Sequence, residues 1–165
     1  MSSADKKFRD RVRERLEALG PSLESVLEKL ITYEYLPEVF AIDFEVFSDG
    51  FTQQFPVRCF FLDRDNCEFF VYEGGKATYP SLVDPGLLSI SEVYPSEWEE
   101  ELEEASSDSD PWRIATKELF TWFLARWRAA GGSTFGLAAS IAHHDSNEEI
   151  NLVTGVRQPR GSAYS

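Results

Sequence analysis

His143 and His144 stand side by side in the chain and Asp145 follows them. Imidazole nitrogens and a carboxylate are metal ligands, and a histidine near neutral pH is a general base. These are the only two histidines in 165 residues. On an extended segment, successive side chains point to opposite faces, so His143 and Asp145 share one side and His144 takes the other. A metal would therefore find His143, Asp145 and one or two carboxylates borrowed from elsewhere. A turn-forming aspartate beside surface histidines is the plainer reading, and a metal-dependent hydrolase using His143 and Asp145 is the sharper one.

The adjacent His-Asp resembles the dyad of metal-dependent phosphohydrolases. That resemblance implies a further upstream histidine, a distant aspartate and a helical setting for the dyad. Here no third histidine exists and the dyad follows a strand-like run. The two cysteines, Cys59 and Cys67, fall in neighbouring strand-like runs and are expected to be buried free thiols, inert in apolar surroundings. The Gly-rich run at residues 131–136 follows a helical pattern and precedes a strand. Phosphate loops have the reverse order, so this run is expected to cap a helix.

The remaining feature is acidic. Between Lys76 and Arg113 there is no basic side chain, and ten carboxylates lie in that stretch: Asp84, Glu92, Glu97, Glu99, Glu100, Glu101, Glu103, Glu104, Asp108 and Asp110. The whole chain carries 29 acidic and 16 basic residues, a formal charge of −13. Such a field opposes binding to nucleic acid or to anionic lipid and favours a basic protein partner. Trp98, Glu99, Glu100, Glu103, Glu104, Asp108 and Asp110 are the candidate partner-binding residues. Tyr94, Trp98 and Leu102 recur at four-residue steps and share a helical face, with Trp98 as the aromatic anchor.

The elements that must position these groups can be read from period. Phe8, Val12, Leu16 and Leu19 predict a helix over residues 4–19. Gly20-Pro21 ends it and starts a second helix, with Leu23, Val26, Leu27, Leu30 and Ile31 on one face. Residues 39–47, 55–62 and 67–72 alternate or run apolar between short polar turns, which predicts an antiparallel meander. Short strands are expected at 77–79 and 87–90, then a short acidic helix capped by Ser96 and a loop at 105–110. Asp110 and Pro111 open a long helix to about residue 130, with Trp112, Ala115, Leu119, Trp122, Phe123 and Trp127 on a broad stripe. A hairpin at 137–142 and 149–153 closes the fold.

The expected fold class is α+β: two N-terminal helices, an antiparallel β-meander, a short acidic helix, a long aromatic-rich helix and a C-terminal β-hairpin, with the helices on one face of the sheet. Residues 1–156 make one domain and 157–165 a frayed polar tail. The first twenty residues lack the apolar core of a signal peptide, and no apolar run approaches a membrane span, so a cytoplasmic location is expected. No cofactor is expected. In type the chain is similar to the immunity proteins of bacterial toxin systems, which are small, acidic α+β proteins without catalytic motifs. The likeness implies a non-catalytic module that neutralises a toxin domain by binding it. An adaptor or chaperone for a secreted effector would use the same surfaces.

Overall fold

The computed structural model describes residues 2–81, 86–87 and 90–165. A single helix, α1 (Ser3–Thr32), opens the fold. Ser2 caps it: its hydroxyl accepts from the Asp5 amide, and the Asp5 carboxylate accepts from the Ser2 amide. The break expected at Gly20-Pro21 does not occur. Phe8, Val12, Leu16, Gly20, Leu23, Leu27 and Leu30 are all buried and form one stripe in phase on both sides of the proline. An interior proline costs roughly 3 kcal/mol, and burying three leucines beyond it returns more. Gly20 lies beneath the Arg126 side chain, where a Cβ would stand 3.5 Å from Nη1.

Two sheets follow. The larger combines β1 (Ala41–Val46), β2 (Val57–Leu62), β5 (Gly86–Leu87), β6 (Ala138–His143), β7 (Glu148–Asn151) and β8 (Arg157–Pro159) in the order β5-β2-β1-β6-β7-β8. β1 pairs antiparallel with β2 over six residues and parallel with β6 over six more. The smaller sheet is the hairpin of β3 (Val71–Glu73) and β4 (Lys76–Tyr79). Gly74 and Gly75 both take positive φ in its turn, which a two-residue hairpin of the right twist demands. The expected third meander strand therefore meets β2 at a Leu62–Glu68 bridge, with the Phe69 amide donating to the Phe61 carbonyl and the Phe70 ring on Phe61, before the chain leaves the main sheet. Val71, Tyr72 and Glu73 are all exposed, so no buried face holds them to β2. Of the strand expected at 87–90, residues 88–89 lie outside the described residues.

Alternation sorts the main sheet. Ile42, Phe44 and Val46 of β1 and Val57, Cys59 and Phe61 of β2 are buried against the helices, while Asp43, Glu45 and Arg58 point the other way. Helix α2 (Glu97–Ala105) is short, and α3 (Pro111–Ala129) is the long aromatic one. The Asp110 carboxylate caps α3 at the Arg113 amide, Pro111 takes the first turn and Gly131, at φ 92°, ends it. Ala115, Leu119, Trp122, Phe123 and Trp127 are buried as their spacing predicts. Trp112 is not: it is 46% exposed, because it sits in the first turn beyond the edge of the sheet-facing stripe. Phe44 meets Phe123 and Trp127 at centroid distances of 4.9 and 5.9 Å, which seats α3 on the sheet. Arg13 Nε donates to the nearly buried Glu118 at 2.5 Å and ties α1 to α3.

The final residues, expected as a frayed tail, are placed against the sheet. β8 pairs with β7, and a 3₁₀ turn over Ser162–Tyr164 brings Tyr164 onto Phe40 at 5.3 Å. The reason is side-chain chemistry: Arg160 reaches back to Asp43 and Glu45 of β1. Six strands at about 4.8 Å spacing are wider than two helices of about 10 Å diameter. On the helix side, Ile150 of β7 and Arg157 of β8 line a groove beside α3. No helix among the described residues is long and apolar enough to cross a membrane.

Candidate functional site

Helix α2 is fastened by its inner face. Leu102 is buried, Trp98 is half-buried and its ring lies parallel to Tyr94 at 6.0 Å. The Arg11 guanidinium stacks on Trp98 at 3.8 Å and donates to Glu101 at 2.6 Å. Glu99 also turns inward: one oxygen, Oε1, accepts from the Tyr94 hydroxyl at 2.9 Å and from Trp112 Nε1 at 3.1 Å. Burial, with Glu99 as hydrogen-bond acceptor, holds the Tyr94 phenol well above its usual range.

Of the residues that the sequence marks for a partner, the structure thus divides two groups. Trp98, Glu99 and Asp110 have internal work, as stack, hydrogen-bond hub and helix cap. Glu100, Glu103, Glu104 and Asp108 are exposed, as is Glu97, and none has an ion-pair partner among the described residues. Glu101 and Asp110 meet Arg11 and Arg113. Asp84 lies outside the described residues. The result is an outward acidic ridge on a helix whose inner face is locked.

A second polar site lies on the face of the sheet away from the helices. A pocket of about 550 Å³ there is floored by Asp43, Glu45, Ser140 and Glu149 and closed by Arg160 and Tyr164. Arg160 Nη2 lies 3.4 Å from Asp43 and also meets Glu45, while Nη1 donates to the His144 carbonyl at 2.8 Å. Ser140 donates to Asp43 at 2.9 Å, and Glu149 accepts from Gln158 and the Gly161 amide. Burial raises the Asp43 carboxyl above the usual aspartate range, against the opposing pull of Ser140 and Arg160. Burial also pushes the Tyr164 phenol up to about 12. Sequence alternation marks Asp43 and Glu45 as outward; nothing local signals that Arg160, over a hundred residues later, closes over them.

His143 and His144 face opposite ways, as an extended segment requires. His144 stacks on Phe47 at 4.5 Å and its Nδ1 is 2.9 Å from Glu45, on the open face. His143 turns to the helix side, where Nε2 is 2.8 Å from Ser48 Oγ. Its Nδ1 accepts from the Asp145 amide at 3.2 Å, so the neutral ring carries its proton on Nε2 and donates to Ser48. A base for Ser48 would need the other tautomer, held by an acceptor at Nδ1. Asp145 supplies its backbone there and not its carboxylate. Among the described residues no three His, Cys, Asp or Glu side chains converge to hold a metal ion.

Cys59 is buried, and burial pushes its thiol well above the usual range. Cys67 is exposed, contrary to the expectation of two buried thiols. It sits in the turn whose amides the Asp63 carboxylate collects, not in a paired strand. No protein-family model, no curated protein and no solved structure matches the chain.

Proposed function

We propose that the chain is a non-catalytic protein-binding module of the immunity type, which works in the bacterial cytoplasm and neutralises a basic toxin domain by direct contact. The observation that carries the reading is the outward face of α2, where Glu97, Glu100, Glu103 and Glu104 stand exposed without a cationic partner among the described residues. Carboxylates fixed on an anchored helix make a standing field that steers a basic surface and loses little entropy on contact. A hydrolase built on His143 and Asp145 has weaker support, because both ring nitrogens of His143 are engaged and no carboxylate orients the ring.

The test is to capture the partner from the native host and measure its binding kinetics with wild-type protein and with the quadruple variant Glu97→Gln, Glu100→Gln, Glu103→Gln, Glu104→Gln. Glu99 is spared because it works inside the fold. The partner is expected to be basic, and the variant should protect growth from it less than the wild-type protein does. The association rate at low salt should fall by about tenfold or more in the variant, and the wild-type rate should fall with added salt. An acidic partner, or an association rate indifferent to both salt and substitution, would overturn the proposal.

A further inference from the structure

On the helix side, the strip of sheet beside α3 forms a groove of about 610 Å³, within the usual range for small-molecule sites. Its walls are apolar: Trp112 and Phe120 from α3, and Ile150 from β7. Ser48, Thr116 and His143 also line it, together with Arg113, Lys117 and Arg157. In a chain with 29 acidic and 16 basic residues, three cations and a single carboxylate is a local inversion of charge. That carboxylate is Asp110, and one of its oxygens is spent on the α3 cap. Arg157 also reaches Glu148 at 3.1 Å, and Lys117 has no ion pair among the described residues.

The donors do not balance internally. His143 gives its Nε2 proton to Ser48, as its tautomer requires. Ser48 Oγ is 3.4 Å from Thr116 Oγ1, and Thr116 is only 8% exposed. Whichever of these two hydroxyls donates to the other, one hydroxyl hydrogen is left without an acceptor among the described side chains. Both hydroxyls line the groove, so that hydrogen is free to meet an outside acceptor there.

We infer that this groove binds a small organic anion, a carboxylate or phosphate ester carried on an apolar or aromatic body. The anionic oxygen takes the surplus hydroxyl hydrogen of the Ser48–Thr116 pair and is neutralised by Lys117 and Arg157, while Trp112, Phe120 and Ile150 hold the body. The site is independent of the basic-partner reading: it has the opposite sign and uses none of the α2 carboxylates.

The test is a titration of the ¹⁵N-labelled protein with benzoate, phenyl phosphate and benzyl alcohol, followed by amide shifts in the NMR spectrum. Benzoate or phenyl phosphate should shift Ser48, Thr116 and His143 saturably, and the tighter of the two tells carboxylate from phosphate ester. Neutral benzyl alcohol should bind at least about tenfold more weakly. The exposed double variant Lys117→Ala, Arg157→Ala should fold normally and lose at least about tenfold in affinity, whereas Lys6→Ala, Lys7→Ala should lose none. The inference is overturned if neither anion saturates below about 10 mM, a free energy too small to mark a site. It is equally overturned if benzyl alcohol binds as tightly as the anions, or if the Lys117–Arg157 variant binds unchanged.

Discussion

The Arg11 guanidinium lies 3.8 Å from the centre of the Trp98 ring, and the same group holds Glu101 one turn further along α2. One cation on α1 therefore fixes both the tilt and the register of the acidic helix. The ion pair is half in water, with Glu101 54% exposed, so it adds little, and the stacking contributes most of the hold. Arg11→Ala should cost about 1 kcal/mol and lower Tm by about 2–4 °C. Amide exchange should accelerate at residues 97–105 and stay unchanged in α3. Equal protection of α2 in wild type and variant would show that Leu102, the Trp98–Tyr94 stack and the Glu99 hydrogen bonds hold the helix without Arg11.

Gly132 and Trp127 pose a sharper steric test. A Cβ on Gly132 would stand 2.1 Å from Trp127 Nε1, an impossible approach to a fully buried ring. Gly132→Ala should destabilise by about 1–3 kcal/mol through displacement of the indole. Gly131→Ala meets open space but keeps a φ of 92°, and should cost only about 1 kcal/mol. Trp127→Ala should cost about 3–5 kcal/mol. Chemical denaturation of the three variants checks the order; Gly131→Ala as the worse of the two glycine changes would contradict it.

The two thiols should separate cleanly. A thiol reagent should label Cys67 quickly in the native protein, and Cys59 only after unfolding, because Cys59 is buried and its thiol is held protonated. One label per native chain and two per denatured chain is the expected count from mass spectrometry. Two fast native labels would mean that β2 opens readily.

Asp43 should leave a mark on the pH dependence of stability. Burial raises its folded-state pKa, so the native chain binds this proton more tightly than the unfolded chain does. Its contribution is fully present below the unfolded pKa and is lost as pH rises through the folded one. Asp43→Asn removes that slope. Denaturation measured just above the ordinary aspartate range should show wild type losing stability with rising pH relative to Asp43→Asn. Parallel curves for the two proteins would refute the assignment.

Features whose causes are local were legible in the sequence. Asp110, Pro111 and Gly131 delimit α3 because caps and left-handed turns need only neighbouring residues. The acidic run was legible as a helix from its own residues, although Ser96, the expected cap, makes no side-chain hydrogen bond to its first turn. What failed depended on distant partners. Pro21 carries a local stop signal, and it is overridden by a stripe whose phase continues from Leu16 through Gly20 to Leu23 and Leu27. Glu99 read as one more surface carboxylate because its partners, Tyr94 and Trp112, lie off the helical spacing. The tail read as frayed because it is short and polar, and the groups that hold Arg160, Asp43, Glu45 and the His144 carbonyl, are distant in sequence or carry no local signal.

The parallel pairing of β1 with β6 sets a condition on the order of synthesis. Ala41 and Ala138 are neighbours in space and nearly a hundred residues apart in the chain. A ribosome therefore releases β1 with one edge covered by β2 and the other bare until β6 emerges. Phe44 first lacks the Phe123 and Trp127 above it, and once these have emerged it still lacks the Ile141 beside it. Nascent chains stopped before residue 138 should be the aggregation-prone species, exposing an unpaired strand edge that the finished sheet hides at its centre.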